Sequence, residues 1–519
     1  MQLSTNVPSA ERDVLLVFLL AVILVGMNFF FQGNIGINFS DEGFLWYGAA
    51  QTAAGQVPLR DFQSYDPGRY YWIALWAHVF GTGILGVRLS VAVFQLLGVF
   101  FGLLVVRRVV SKGWVLCLVG LLLVAWMFPR HKLFEHSLAM AAVYVGVCLL
   151  EHPSRKRHFL AGVFVGIAAF FGRNHGLYSF LACVAEIAFI QMRLQREALL
   201  ARLSAWGLGL VTGSVPLLAM VIVIPGFASA FLDSVLSLFR LGATNLPLPV
   251  PWPWLGVNSP LPTVDRMAYS FVGIGFVALP LFFLFSLGLL LVYPLADLQR
   301  QSVLVASTCV GIWYVHYAFS RADLPHLAQS LMPFLIGMVA MPAFLGAQEN
   351  SRGSLLVLSG LMVFTIGPAY LGSPFFQYCH PLRTTCVQQE LNGETLWLPP
   401  SDRQLIETVR QIVAAHVRPE EGIFIAPHWP TFYGILQRPS PTWQIYFIFP
   451  ESMERQEEMI SDLGKNKVRW VILGDVALDG QDTLRFRHTH SLLWQFLMRE
   501  FEPVAVEGFP ADYQLLRKR

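Results

Sequence analysis

Charged side chains are scarce in this sequence. Only 13% of its 519 residues are Asp, Glu, Lys or Arg, whereas 55% are hydrophobic. A soluble domain usually carries about 25% charged residues. This deficit, together with many long apolar runs, indicates an integral membrane protein. The net charge of +3 is small, and no basic cluster lies among aromatic residues in a soluble segment, so nothing points to a nucleic-acid partner.

Cysteine and nucleotide-binding motifs are also sparse. The six cysteines form no C-x-x-C motif, so we expect no zinc or redox site of that kind. Cys379 and Cys386 follow the last apolar run and could form a disulfide if that segment lies outside the cytoplasm. The chain has no G-x-G-x-x-G, no P-loop and no internal repeat. The stretch HKLFEH at 131–136 has one residue too many for a zinc-protease motif of the H-x-x-E-H type.

Long apolar runs are abundant, and we interpret eleven of them as membrane spans. The first follows "ERD" and has no convincing cleavage site, so we expect a retained span and not a removed signal peptide. Several runs are shorter than the roughly 20 residues that a bilayer requires, so the residues at which these spans begin and end are not sharply defined. The predicted spans are 14–32, 86–106, 113–128, 133–150, 159–172, 177–192, 204–225, 268–293, 302–319, 327–348 and 354–371.

The run 70–80 decides the orientation of the chain. It is only about a dozen residues long, so an interfacial helix fits better than a span. Basic residues then accumulate on one face, which the positive-inside rule identifies as the cytoplasm. These residues include Arg107, Arg108, Lys112, Arg155, Arg193 and Arg300. The first loop (about 33–85), the loop 226–267 and everything after 371 are expected on the outer face.

The last part of the chain differs in composition, with more charge and shorter apolar runs. "DRQLIETVRQIVAAHV" has the period of an amphipathic helix. "GIFIA" and "VRWVIL" are typical of buried strands, and another helix is expected at 451–463. The sequence therefore predicts a membrane domain over 1–371 and a small α/β domain over 372–519, outside the cytoplasm.

Asp41 and Glu42 stand out because they follow the first span at the membrane surface. Ionisable residues there are costly unless they are solvated or paired. One interpretation is a solvated loop in which Ser40 or Asp41 caps the helix that follows. The other is a carboxylate that acts as a general base close to a lipid substrate.

Several cations are expected on the same outer face. Taken singly, each is more often an anchor at the membrane edge, but together they form a polar layer that suits a departing phosphate. This layer comprises Arg69, Arg173, His175, Arg321 and His326. A divalent metal is possible, because oxygen and nitrogen ligands are present at Asp41, Glu42, Asp66, Asp323 and His326, but no spacing is diagnostic.

The stretch from Asp41 to about 110 resembles the first outer loop and second span of the GT-C glycosyltransferases. These include the protein O-mannosyltransferases and the lipid A aminoarabinose transferases. The shared pattern is an Asp-Glu pair, a helix with a Gly-x-x-Pro-like end, "YDPGRYY", a "G…R-L" turn and a span that ends in basic residues. "DPGRYY" departs from the pattern of many relatives, which have a His or Lys followed by two prolines at this place.

The resemblance implies a GT-C fold of about eleven to thirteen spanning helices with outer juxtamembrane helices. It implies transfer of a sugar, usually with inversion, from a polyprenyl-phosphate donor to a lipid, glycan or protein acceptor. The enzyme would lie in a bacterial inner membrane, with its N-terminus in the cytoplasm and its active site outside. The absence of a D-x-D motif agrees with such a donor.

Site residues follow from the resemblance in the same way. Asp41 matches the catalytic carboxylate, and Glu42 matches the second member of the pair, whose role varies. Arg69, Arg173, Arg321 and His326 are candidates for the donor phosphate. Residues expected to bind substrate are Trp46, Asp66, Tyr70, Tyr71 and His175.

Two other functions stay open at this stage. A polyprenyl-lipid transporter would need ionisable residues within its spans and inverted repeats, but Glu186 is the main mid-span charge. A ligase or polymerase that moves whole glycans would share the lipid phosphate site. The Pro- and aromatic-rich stretch 427–443 is either a structural loop that packs on the membrane body or an acceptor-binding segment.

Overall fold

The computed structural model describes residues 7–194, 198–242, 245–293, 298–349, 351–380 and 384–519. The chain divides into two compact units. The first, Met1–Gly33 with Val91–Phe376, is called the helical unit, and the second, Asn34–Ser90 with Gln377–Arg519, is called the sheet unit. The sheet unit thus combines the first loop with the C-terminal segment. The division into a membrane domain over 1–371 and an outer α/β domain over 372–519 stays a prediction.

Helices dominate the described chain. In chain order they are α1 (Val7–Gln32), α2 (Asp41–Ala53), α3 (Pro67–Phe80), α4 (Ile84–Val106), α5 (Gly113–Ala125), α6 (Leu133–Glu151), α7 (Arg155–Phe171), α8 (Arg173–Arg193), α9 (Leu199–Gly213), α10 (Val215–Val223), α11 (Phe227–Leu241), α12 (Pro253–Val257), α13 (Thr263–Val292), α14 (Leu298–Ser320), α15 (Leu324–Ser330), α16 (Met332–Phe344), α17 (Arg352–Gly372), α18 (Pro374–Tyr378), α19 (Pro400–His416), α20 (Thr431–Ile435), α21 (Met453–Lys465), α22 (Phe486–Thr489) and α23 (Ser491–Glu500). The strands are β1 (Val387–Leu391), β2 (Glu394–Leu398), β3 (Ile423–Ala426), β4 (Trp470–Gly474), β5 (Phe501–Val504) and β6 (Tyr513–Lys518).

The chain is an integral membrane protein. Seven of the described helices are long and apolar enough to cross a membrane, or nine if the bent pairs α9–α10 and α15–α16 each count as one span. Each of the eleven predicted spans overlaps a helix or a bent pair, although five of them extend one to four residues past its end. The two that do not pass the length test lie in α5 and α7, which have only 13 and 17 residues. The run 70–80 lies in α3, whose 14 residues are also too few for a span.

A close crossing of α7 and α9 organises part of the helical unit. Gly162 and Gly166 of α7 face Gly209 and Gly213 of α9, and a Cβ atom at any of the four would meet backbone atoms of the opposite helix. Small residues four apart allow helix backbones to approach closely where lipid offers no hydrophobic driving force. Nearby, α14 packs on α6, α8, α13 and α16, so it lies at the centre of its unit.

The sheet unit contains a mixed four-stranded sheet with the order β3-β4-β6-β5. Strands β3 and β4 are parallel, whereas β6 is antiparallel to β4 and β5. Its core is formed by apolar side chains of the strands and of α21 to α23, including Phe424, Leu463, Val471 and Leu497. The predicted strands "GIFIA" and "VRWVIL" and the helices near 402–417 and 451–463 are confirmed.

A second, two-stranded sheet connects the first loop to the C-terminal segment. Strands β1 and β2 form an antiparallel hairpin. The amide of Trp397 donates to the carbonyl of Asn34 at 2.8 Å, and the amide of Gly36 donates to the carbonyl of Trp397 at 2.8 Å. Residues 34–36 therefore extend this hairpin, so the chain leaving the first span is held by β2.

Cys379 and Cys386 are joined by a disulfide bond, which the sequence left as one of two possibilities. The other four cysteines, Cys117, Cys148, Cys183 and Cys309, are free. Because disulfides persist in oxidising compartments, the bond agrees with a C-terminal segment outside the cytoplasm.

We expect the bond to be detectable by thiol labelling. In a full-length variant with the four free cysteines replaced by alanine, denatured protein should take up no polyethylene-glycol maleimide before reduction and two groups after it. Cys386→Ser in the same background should take up one group without reductant. Labelling of the parent variant at two positions before reduction would contradict the disulfide.

Candidate functional site

The start of α2 holds Asp41 as its first helical residue. The side-chain oxygen of Asn38 accepts the backbone N–H groups of Ser40 and Asp41 at 2.9 and 2.8 Å. The Ser40 hydroxyl instead donates to the carbonyl of His428 at 2.7 Å. Ser40 is therefore the N-cap residue, as one interpretation of the sequence expected, but its side chain makes no capping hydrogen bond, and Asn38 accepts the first backbone N–H groups instead.

Glu42 is bound by a buried arginine that sequence analysis did not single out. Nε and Nη2 of Arg88 each lie 2.8 Å from a different oxygen of the Glu42 carboxylate, and the two residues are only 4% and 3% exposed. Arg88 also donates to the carbonyl of Gly36 at 2.8 Å. A bidentate pair of this kind fixes geometry as well as charge. In the sequence, Arg88 appeared only as the arginine of the "G…R-L" turn, and this pattern did not indicate its pairing with Glu42.

Asp41 lies in a different environment from its neighbour Glu42. The Tyr446 hydroxyl hydrogen-bonds the Asp41 carboxylate, and burial, reinforced by this negative charge, holds the pKa of Tyr446 well above its usual value. The ring of His428 lies edge-on to that of Tyr446, with 6.0 Å between their centroids. Burial lowers the pKa of His428 to about 4, although the charges of Asp41 and Asp479 oppose this shift. His428 is therefore an uncharged imidazole at neutral pH.

The chain from 427 to 446, called the 427–446 segment, is held against the first loop by hydrogen bonds. The Gln63 side-chain oxygen accepts the amides of Ile445 and Tyr446 at 3.1 and 2.9 Å, and its nitrogen donates to the Tyr446 carbonyl at 3.1 Å. The Thr431 hydroxyl donates to the carbonyl of Asn38 at 2.9 Å. Gly43 is required here because a Cβ atom would collide with Thr431. The segment thus packs on residues of the first loop within the sheet unit.

The aromatic residues predicted to bind substrate are mostly buried in the sheet unit. Trp46 is buried and its indole N–H donates to the carbonyl of Thr82 at 2.8 Å. Tyr70 is fully buried, and its hydroxyl accepts the Tyr65 amide at 3.0 Å. Tyr71 is half-buried beside the Arg60 and Asp61 charges. Packing therefore accounts for Trp46 and Tyr70, and their contact with substrate stays a prediction.

Arg69 and Asp66 lie near these rings at the start of α3. The guanidinium of Arg69 lies 5.1 Å from the centroid of the Tyr65 ring, a distance typical of a cation–π contact. The Tyr65 ring meets Phe44 edge-on at 4.8 Å. Arg69 and Asp66 are both buried and act with opposite signs on the pKa of Tyr70.

The helical unit brings together three of the predicted residues. His175 Nδ1 lies 2.9 Å from the Tyr314 hydroxyl, and the His175 ring lies 5.6 Å from that of Tyr317. The Tyr317 ring in turn lies 5.5 Å from that of His326. His175, Arg321 and His326 are thus linked through α8, α14 and α15, as one polar cluster.

Asp323 connects the two basic members of this cluster. One of its oxygens lies 2.7 Å from His326 Nδ1, and the other accepts from Arg321 Nε at 2.7 Å. Burial of Asp323 opposes its ionisation, but the hydrogen bonds and charge of His326 and the charge of Arg321 outweigh it and lower the pKa of the Asp323 carboxyl. The pairing holds both basic side chains in one place.

Arg173 has a different environment within the helical unit. Its Nη1 donates to the Ser234 hydroxyl at 2.9 Å, and its guanidinium lies 5.5 Å from the Phe231 ring centroid. Both partners belong to α11, which lies in the loop 226–267. Arg69, by contrast, belongs to the sheet unit.

A metal site is not formed by the candidate ligands. Within the described ranges, no group of three or more His, Cys, Asp or Glu residues is placed to hold a metal ion. Glu42 uses both oxygens for Arg88, and Asp323 uses both for Arg321 and His326. A role for a divalent metal stays a prediction.

Comparison with solved structures identifies the fold. The chain is similar to the crystal structure of ArnT from Cupriavidus metallidurans bound to undecaprenyl phosphate, with a TM-score of 0.55, 14% identity and 98% of each chain covered. For the apo state of ArnT, the TM-score is 0.53, the sequence identity is 14%, and 98% of each chain is covered. The chain is also similar to the apo form of the Archaeoglobus fulgidus oligosaccharyltransferase, with a TM-score of 0.48 and 10% identity. This match covers 95% of this chain and 72% of the oligosaccharyltransferase chain.

The likeness to ArnT, a GT-C lipid A aminoarabinose transferase, extends over the whole chain, so the chain has the GT-C fold. This confirms the fold that the resemblance of the first loop implied. No protein-family model and no curated protein sequence matches the chain.

The burial of the Glu42–Arg88 ion pair predicts that breaking it lowers the stability of the protein. Glu42→Gln leaves the Arg88 charge buried without its counter-ion, so we expect a loss of about 3–5 kcal/mol of stability. Thermal unfolding of the detergent-solubilised chain should show a large fall in melting temperature. Glu502→Gln, which breaks an exposed pair with Arg517, should leave the melting temperature unchanged. Equal effects of the two substitutions would exclude a special role for the buried pair.

Proposed function

We propose that this chain is a glycosyltransferase that transfers a sugar from a polyprenyl-phosphate donor to an acceptor on the non-cytoplasmic face of the membrane. The GT-C fold supports the proposal, and ArnT with this fold binds undecaprenyl phosphate. The observation that carries the proposal is the environment of Asp41. Its carboxylate is hydrogen-bonded by Tyr446 beside an uncharged imidazole, whereas the neighbouring Glu42 is bound to an arginine.

Asp41 is the general base in this proposal. Its carboxylate accepts the proton of the acceptor nucleophile while that nucleophile forms a bond to the anomeric carbon of the sugar. The bond from this carbon to the phosphate oxygen breaks, and its electron pair leaves with the polyprenyl phosphate. Attack from the face opposite the leaving group inverts the anomeric centre.

Glu42 is assigned a positioning role instead of direct chemistry. Because both of its oxygens are bound to Arg88, the pair holds the backbone between Gly36 and Glu42 and thereby the orientation of Asp41. Environments that differ this much for adjacent carboxylates commonly separate their roles.

The departing phosphate needs positive charge, and we assign this role to the cluster of the helical unit. Arg321 presents a guanidinium that suits phosphate geometry, and His326 is held beside it by Asp323. Arg173 and Arg69 are further candidates, each with its guanidinium over an aromatic ring. Pre-arranged cations lower the free energy of the developing negative charge.

We also place the active face outside the cytoplasm. The disulfide between Cys379 and Cys386 supports an oxidising environment for the C-terminal segment. The basic residues between spans support the opposite face as cytoplasmic. We further propose that this membrane is a bacterial inner membrane.

Replacement of the proposed base should abolish transfer. Purified full-length protein is incubated with a membrane lipid extract that carries a radiolabelled sugar, and label in the acceptor is counted. Asp41→Asn keeps the shape of the side chain but cannot accept the proton, so we expect transfer to fall by about 10²–10⁴-fold. Asp462→Asn, at a partly exposed position of α21, is the control and should keep normal activity. Equal transfer by wild type and Asp41→Asn would refute the base assignment, and no transfer by wild type would favour the transporter.

Loss of a phosphate contact should weaken use of the donor. Arg321→Ala removes the guanidinium while Asp323 still holds His326, so we expect the KM for the donor lipid to rise about tenfold or more. Arg321→Lys should restore only part of this loss because it lacks the two-pronged geometry. Arg352→Ala, at the exposed start of α17, is the matched control. A donor KM that is unchanged by Arg321→Ala would contradict the assignment.

A further inference from the structure

His428 has a buried ring nitrogen without a hydrogen bond. The residue is only 8% exposed. Among the described residues, no group hydrogen-bonds its Nε2 atom. A buried polar atom that lacks a partner is costly, because it loses its hydrogen bonds to water without replacement. Such an atom beside a candidate active site therefore calls for a ligand.

The position of His428 relates this atom to Asp41. Its backbone carbonyl accepts the Ser40 hydroxyl at 2.7 Å, one residue before Asp41. Its ring lies edge-on to Tyr446, whose hydroxyl hydrogen-bonds Asp41. A carboxylate, a hydroxyl and an imidazole thus meet at the first turn of α2. The carboxylate comes from the first loop, and the other two groups come from the 427–446 segment.

His490 provides a contrast within the same unit. It is fully buried, and its Nε2 atom also has no hydrogen-bond partner among the described residues. Its ring, however, stacks on Phe486 with a centroid distance of 4.9 Å and lies edge-on to Phe447. Burial alone lowers the pKa of His490, to about 3, whereas carboxylate charges act on His428. His490 is therefore a core residue, and His428 faces polar groups.

We propose that His428, together with Tyr446, binds an uncharged hydroxyl of the acceptor beside Asp41. This inference rests on the proposed function, in which Asp41 is the base. His428 acts as a binding residue and not as a second base. Its free nitrogen hydrogen-bonds the acceptor, and this contact holds the nucleophile at the carboxylate.

The chemistry of the site favours a neutral acceptor over an anionic one. The imidazole carries no charge at neutral pH, because burial lowers its pKa to about 4. It therefore offers a hydrogen bond but no counter-charge. A phosphate acceptor next to the Asp41 carboxylate would need a cation in contact with it, and neither His428 nor Tyr446 supplies a positive charge. A hydroxyl group of a sugar fits these surroundings.

The test compares two buried histidines in the full-length enzyme. The probe is the radiolabelled sugar-lipid extract as donor, with an unlabelled glycan and lipid fraction of the membrane titrated as acceptor. Two rates are measured for each variant: transfer of label to the acceptor, and release of free labelled sugar to water without acceptor. The variants are His428→Phe, His428→Gln and the control His490→Phe, each with a melting temperature.

The expected result is a selective loss of acceptor binding. His428→Phe should raise the half-saturating amount of acceptor about tenfold, as expected for a lost hydrogen bond in a buried site, and leave release to water unchanged. His428→Gln should recover part of the loss, because its amide places a nitrogen near the position of Nε2. His490→Phe should change neither the half-saturating amount nor the release of sugar.

Other results would overturn the inference. Normal acceptor saturation by His428→Phe would remove His428 from the acceptor site. If His428→Phe and His490→Phe both lowered the two rates and the melting temperature to the same extent, both histidines would have a structural role only. Failure of the proposed function is seen separately, as equal transfer by wild type and Asp41→Asn, and the His428 assignment would then fall with it.

Discussion

The ion pair between Glu42 and Arg88 is the constraint on which the candidate site of the sheet unit depends. Burying two charges is costly, and the cost is offset only by close contacts such as the two 2.8 Å bonds that join them. The geometry is therefore restrictive. It fixes the chain from Gly36 to Glu42, and Asp41 lies within this stretch. One carboxylate of the Asp-Glu pair is bound to a buried arginine, and the other is hydrogen-bonded by the Tyr446 hydroxyl.

The partners of Asp41 come from a distant part of the sequence. Ser40 and His428 are 388 positions apart, yet they are joined by a hydrogen bond. Gln63 uses both atoms of its amide group to hold the backbone at Ile445 and Tyr446. This attachment determines where the Tyr446 hydroxyl and the His428 ring lie. The backbone contacts of the 427–446 segment therefore determine the positions of the side chains that the segment contributes to the site.

Much of the architecture could be predicted from the sequence because it depends on local patterns. The apolar runs located the spans, and the spacing of Leu405, Val409 and Ile412 located α19. The sequence placed His175, Arg321 and His326 in one expected polar layer, since each lies near the end of a predicted span, and their roles stay predictions. These features need only the period and position of residues along one segment.

What could not be predicted depends on contacts between distant segments. No local pattern pairs Glu42 with Arg88 over other arginines, and helix-capping preferences do not identify Asn38 as the residue whose side chain accepts the first backbone N–H groups of α2. The crossing of α7 and α9 depends on two pairs of glycines that are unremarkable when each helix is considered alone. Tyr446 lies just beyond the stretch 427–443, and only the tertiary contacts of Gln63 bring it to Asp41.

The composition of the sheet unit has a consequence for biogenesis. Its two parts, Asn34–Ser90 and Gln377–Arg519, are separated by nearly three hundred residues of helical unit. At a synthesis rate of about 5–20 residues per second, the first part emerges tens of seconds before the second. Glu42 and Arg88 both belong to the early part and can pair at once. Asp41 must wait for Tyr446 and His428, so the nascent chain completes its membrane insertion before its candidate catalytic site exists.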